Sequence, residues 1–162
     1  MKHQHILPSK ESLLEVFPSN QHLKTYKAVL ECYEAIPCNP CEHHCPFDAI
    51  IIGENINTPP RLVVDKCTGC GICVRVCPGL AIMLAKVSET QASFVIPYEF
   101  NPKPKVDETW YGVNRSGEIL GDVLIKRVMD TKANDHTSLV TVQTAPSLLH
   151  EFITIKRKSH EE

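Results

Sequence analysis

The sequence predicts an α+β fold: one pseudo-twofold domain, an N-terminal arm, and a small, mainly β C-terminal unit. Three observations predict it. The first is an internal repeat. A shift of 32 residues lays Cys70 on Cys38, Cys73 on Cys41, Cys77-Pro78 on Cys45-Pro46 and Ala81-Ile82 on Ala49-Ile50. The second is a set of short β-type runs separated by turn residues. The third is the stretch 96–105, where Pro97, Pro102 and Pro104 mark a linker. The expected divisions are therefore an arm at 1–24, a central domain at 25–100 and a β-rich unit at 101–162.

Each element has a local reason. The arm is polar and extended, with room for one short helix over Glu11–Phe17. In the centre, Arg61–Val64 falls on Val29–Cys32 under the same shift, a strand-like segment in both halves. Ile50–Ile52 and Leu62–Val64 flank Gly53-Glu54-Asn55 and Pro59-Pro60, which predicts a hairpin. Ala81–Val87 and Phe94–Ile96 form a second one across Ser88–Gln91. In the tail, Trp110–Val113 and Glu118–Met129 flank the turn Asn114-Arg115-Ser116-Gly117. Leu139–Gln143 alternates, with Val140 and Val142 on one face. Pro146-Ser147 is expected to open a short helix whose apolar residues Leu148, Leu149, Phe152 and Ile153 share a face.

Composition narrows the class. The chain has 162 residues, is 43% hydrophobic and 22% charged, and so can bury a core. No apolar run is long enough to span a bilayer. Met1-Lys2-His3-Gln4-His5 leads into no apolar stretch, which predicts a chain without a signal peptide and a cytoplasmic location. All eight cysteines lie between Cys32 and Cys77. A disulfide scaffold spreads its staples, whereas a metal site gathers its thiolates.

The chemistry is concentrated in Cys67-Thr68-Gly69-Cys70-Gly71-Ile72-Cys73-Val74-Arg75-Val76-Cys77-Pro78. This is the C-x2-C-x2-C-x3-C-P run of bacterial iron–sulfur proteins. Three thiolates on one tight loop reach three irons of a cubane, and Gly69 and Gly71 let loop amides approach closely. The fourth cysteine, at the start of the next segment, points to the other cluster. Zinc sites use cysteine pairs separated by longer spacers. The first half, Cys38-Asn39-Pro40-Cys41-Glu42-His43-His44-Cys45-Pro46, keeps three positions of the run and has Ala35 at the fourth. Cys32 stands three residues upstream of Ala35. Either it is the missing thiolate, completing eight ligands for two 4Fe–4S clusters, or it is a buried strand cysteine beside a three-iron or otherwise ligated cluster.

On these motifs, residues from about Thr25 to Phe100 resemble the dicluster (8Fe–8S) bacterial ferredoxin domain. The resemblance implies one cluster on Cys38, Cys41 and Cys77 with Cys32 as presumed fourth ligand, and another on Cys67, Cys70, Cys73 and Cys45. The phrase Glu31-Cys32-Tyr33-Glu34-Ala35-Ile36-Pro37-Cys38-Asn39-Pro40-Cys41, with a cysteine-free β tail, is similar to something narrower. It resembles the ferredoxin-type small subunits of flavin-dependent amine, proline and hydroxyproline dehydrogenase complexes. That resemblance implies an electron-transfer subunit with flavin-containing partners, its arm and tail serving docking. A freestanding ferredoxin, or a subunit of another redox complex, is the alternative within the class.

Other functions find less support. An iron–sulfur regulator would need a basic surface. From residue 100 onward there are nine Lys/Arg against nine Asp/Glu. The formal charge of −2 falls to about −6 once two clusters and their thiolates are counted, which disfavours nucleic acid. No nucleophile–base pair, phosphate loop or metalloprotease signature is present, so no catalytic residue is assigned. His43, His44 and Lys156-Arg157-Lys158 read as solvated groups, and Trp110 and Tyr111 as tail core.

Overall fold

The computed structural model describes residues 7–158. The reading of Met1–His5 therefore lies outside the described residues. The chain contains helices α1 (Lys10–Val16), α2 (Pro40–His43) and α3 (Ile72–Val76). The strands among the described residues are β1 (Lys27–Leu30), β2 (Ile50–Ile51), β3 (Arg61–Leu62), β4 (Ile82–Val87), β5 (Ala92–Tyr98), β6 (Thr109–Val113), β7 (Ile119–Met129), β8 (Ser138–Thr144) and β9 (Thr154–Lys156). Helix and strand are mixed, and sheet dominates. No helix among the described residues is long and apolar enough to cross a membrane.

Seven strands form one antiparallel sheet in the order β1-β4-β5-β8-β7-β6-β9; β2 and β3 pair separately. The sheet does not stop at residue 100. β5 pairs with β8 along its whole length, from Ala92↔Thr144 to Tyr98↔Ser138, so strands from 25–100 and 101–162 share one sheet. The proline-dense stretch correspondingly begins inside a strand and not in a linker. β4 pairs with β5 only as far as Val95, which leaves Pro97 without a ladder partner on that side, and a missing N–H is tolerated there.

Alternation along the strands separates two cores. On β4, Met83 and Ala85 face one and Ile82 and Leu84 the other. On β1, Val29 opposes Ala28 and Leu30 in the same way. The first core holds Phe94, Ile96, Trp110, Val140, Val142 and Phe152. Full burial of a ring such as Phe152 stabilises the fold by about 1.5–3 kcal/mol. The described part of the arm packs on this core rather than lying extended. Ser9 caps α1 by accepting from the Ser12 N–H, and Phe17 and Leu23 beyond the helix are buried. Pro146 opens only a 3-10 turn, Pro146–Leu148; the chain returns as edge strand β9, with Leu149 and Phe152 buried between them. The second core lies under the cysteine loops and contains Cys41, Cys67, Cys73, Val74 and Leu139.

Candidate iron–sulfur centre

The two halves of the thiol region repeat at the level of single hydrogen bonds. The Ala49 N–H donates to Cys45 Sγ at 3.4 Å, and the Ala81 N–H, 32 residues on, donates to Cys77 Sγ at 3.3 Å. Asp48 and Leu80, also 32 apart, both take left-handed φ, 49° and 53°. That conformation costs an L-residue roughly 1–2 kcal/mol. In both halves it turns the chain so that the following amide reaches the sulfur. The strands obey the same shift. Leu30 opposes Ile82, and Leu62 opposes Ile50. The Glu31 N–H donates to Ala81 O, and the Val63 N–H to Ala49 O.

The eight cysteines are free thiols, and they divide four and four between two cavities. Cys32, Cys38, Cys41 and Cys77 line the first, with Glu34, Ile36, Pro60 and Ile82. Cys45, Cys67, Cys70 and Cys73 line the second, with Ala28, Phe47, Leu62 and Leu84. Ile82 and Leu84 are two residues apart on β4, about 7 Å along the strand, so the cavities sit side by side. α2 carries Cys41, and α3 carries Cys73.

Loop geometry explains the spacing. Gly69 has φ +72°, and a Cβ there would lie 2.4 Å from the carbonyl oxygen of Tyr26. Glycine is thus required by the approach of β1 to the loop, a reason the sequence reading did not contain. Lys27 Nζ donates to Cys67 O at 2.5 Å, and the Ala28 N–H donates to Cys67 Sγ at 3.4 Å. On the other side, Glu42 Oε1 accepts from the Ile52 N–H at 2.8 Å and ties α2 to β2. His43 and His44 are exposed, as expected for solvated loop residues.

Burial pushes the Cys73 thiol up to about 12, with neighbouring Cys67 and Cys70 adding to the shift. Cys41 rises to about 11, again through burial first, and Cys32 is raised by burial and by Cys77 and Cys38. Without a positive centre, then, these thiols keep their protons at neutral pH. Among the described residues no three of His, Cys, Asp and Glu converge as ligands of a single ion. Four thiols around a shared cavity suit a polynuclear centre instead, in which each sulfur binds its own iron. The donor set, soft and all-sulfur, fits a 4Fe–4S group. Assembly must release the thiol protons, so its rate rises with pH. Reconstitution of the metal-free chain with ferrous iron and sulfide should be several-fold faster at pH 9 than at pH 7, measured by absorbance near 400 nm. A pH-independent rate would show that thiol deprotonation does not limit assembly.

Comparison with known proteins agrees. A model of the 4Fe-4S binding domain matches residues 60–83. One subunit of the Na(+)-translocating ferredoxin:NAD(+) oxidoreductase complex of Acetobacterium woodii is 39% identical over 69 residues, 43% of this chain and 20% of that protein. Pyruvate synthase subunit PorD of Methanocaldococcus jannaschii is 36% identical over 59 residues, 36% of this chain and 66% of the relative. A ferredoxin of Pyrobaculum islandicum is 31% identical over 93 residues, 57% of this chain and 74% of the relative. The chain spans only about a fifth of the Acetobacterium protein. No solved structure matches. The thiol-bearing fold and these matches define an electron-transfer iron–sulfur protein with a small ferredoxin-like domain of mixed helix and strand. Within that class, the chain belongs to the ferredoxin family.

Proposed function

We propose that this ferredoxin holds two 4Fe–4S clusters in a pseudo-twofold domain and relays electrons as a subunit of a cytoplasmic multi-subunit dehydrogenase. Cys32, Cys38, Cys41 and Cys77 would hold the first cluster, and Cys45, Cys67, Cys70 and Cys73 the second. When bound, such a cluster supplies reversible one-electron chemistry. The observation that carries the reading is the division of eight free thiols, four to each of two adjacent cavities. The hydrogen bonds and register that recur at a 32-residue shift support the pseudo-twofold.

The protein's own groups would hold the sites rather than react. Backbone amides reach ligand sulfurs, Glu42 anchors α2, and the apolar floor of Ile82 and Leu84 limits water. Two of the relatives are named as subunits of larger redox enzymes, which supports a partnered role. Ile36, at the first cavity, and Phe47, at the second, are exposed apolar side chains suited to docking beside the sites. The arm and residues 101–162 would extend that docking surface. The flavin-containing partner of the amine, proline or hydroxyproline dehydrogenase type rests on the phrase Glu31–Cys41. A freestanding carrier is the second reading, favoured by the relative that is itself named a ferredoxin.

Anaerobic purification from the native cell tests both parts. About eight irons and eight labile sulfides per chain are expected, with a flavin-containing subunit co-purifying. Zinc at one or two per chain would remove the cluster reading. A stable monomer with both clusters and no flavoprotein would favour the freestanding carrier.

A further inference from the structure

The two sites share a fold but not an electrostatic environment. Among the described residues, Glu34 is the charged side chain lining the first cavity, whereas no charged side chain lines the second. What reaches the second is a cation: the half-buried Lys27 donates from Nζ to the carbonyl of Cys67 at 2.5 Å, directly behind a ligand. Backbone amides reach both sites, Ala28 to Cys67 and Ala49 to Cys45 at the second, Ala81 to Cys77 and Glu42 to Cys41 at the first, so they do not set the two apart. The reduced form of such a site carries one more negative charge than the oxidised form. A nearby cation and N–H donors stabilise it, and a nearby carboxylate opposes it. Burial of Cys67 and Cys73 works the other way, but Cys70 of the same site is exposed and admits solvent.

We propose that Lys27 and Glu34 make the two sites unequal, the Cys45–Cys67–Cys70–Cys73 site being the more easily reduced. The inference rests on the two-site reading above. An electron entering at the first site then passes downhill to the second: one electron leaves the former and arrives at the latter, with no bond made or broken and no proton moved. Exposed Cys70 marks the terminal end of that path. Lys27 is not itself a ligand in this scheme; it acts by its charge, held behind Cys67.

The test is an anaerobic dithionite titration of the loaded full-length chain, followed by electron paramagnetic resonance, with an iron count on each sample. The parent should show two couples. Lys27→Gln should lower the upper couple so that its oxidised-to-reduced ratio at a fixed potential rises about tenfold, or 59 mV for one electron. Glu34→Gln should raise the lower couple and narrow the gap. Lys27→Arg keeps the charge and should stay within about threefold of the parent. The inference is overturned if Lys27→Gln moves both couples together or only the lower one. It is also overturned if Lys27→Arg falls as far as Lys27→Gln, because loop anchoring rather than charge would then be responsible. A parent with a single couple and about four irons overturns the two-site reading itself, a result distinguishable by the iron count alone.

Discussion

Cys32→Ala is expected to yield a protein with about seven irons, in which the first site gives a three-iron signal by electron paramagnetic resonance and the second is unchanged. The expectation follows from where the chain places this thiol. Cys32 stands just beyond β1, after the Glu31 N–H has closed the ladder on Ala81 O. Its place in the repeat is that of Val64, not that of a loop cysteine, yet it lines the same cavity as Cys38, Cys41 and Cys77. Five residues form the excursion between Cys32 and Cys38. Pro37 holds Ile36 extended, and the Cys38 N–H then donates to Ile56 O at 3.4 Å, returning the chain to the site. Removing the thiol leaves three sulfurs on this side and the four of Cys45, Cys67, Cys70 and Cys73 untouched. Cys32→Ser should retain more iron than Cys32→Ala, because an alkoxide can take the position. A Cys32→Ala protein that keeps eight irons and the parent spectrum would make Cys32 a packing residue.

The sequence was readable where one local rule governed. Two cysteine runs and their prolines announced the thiol loops. The turn residues Ser88–Gln91 placed β4 and β5, and period-two alternation placed β8, where Val140 and Val142 do share the buried face. A Gly-containing turn set the β6–β7 hairpin around Asn114–Gly117. What escaped was decided by partners distant in sequence. Pro97 argued for a linker, and only the pairing of β5 with β8 shows that a strand tolerates it. Phe17 and Leu23 looked like residues of a polar arm, because the surface they cover comes from β-strands far along the chain. Lys27 lies 40 residues from the carbonyl it binds, with no spacing rule to announce it. Lys158 looked like part of a solvated basic end, but it pairs with Asp122 at 2.7 Å and lies over the ring of Tyr111.

Arg115 is another omission of this kind, and replacing it should be strongly destabilising. In the sequence it is one residue of a turn. In the fold its guanidinium is clamped between two segments distant in sequence. Nε donates to Glu31 Oε2 at 2.7 Å, a second nitrogen binds Glu31 Oε1, and a third reaches His150 O at 2.8 Å. The turn that presents it is itself fixed, since Asn114 Oδ1 accepts from the N–H groups of Ser116 and Glu118. The pair is largely removed from water, with side-chain exposures of 13% for Arg115 and 8% for Glu31. Breaking such a pair strands a charge in a poorly solvated place, which costs about 3–5 kcal/mol. Arg115→Ala should therefore lower the anaerobic unfolding midpoint sharply. Because Glu31 adjoins Cys32, it should also speed iron loss from the first site before the second. The double variant Glu31→Leu/Arg115→Leu should recover most of the loss, because an apolar pair of similar volume strands no charge. A double variant as unstable as Arg115→Ala would show that the guanidinium acts through the His150 carbonyl and its packing, and that the ion pair with the thiol-bearing strand contributes little.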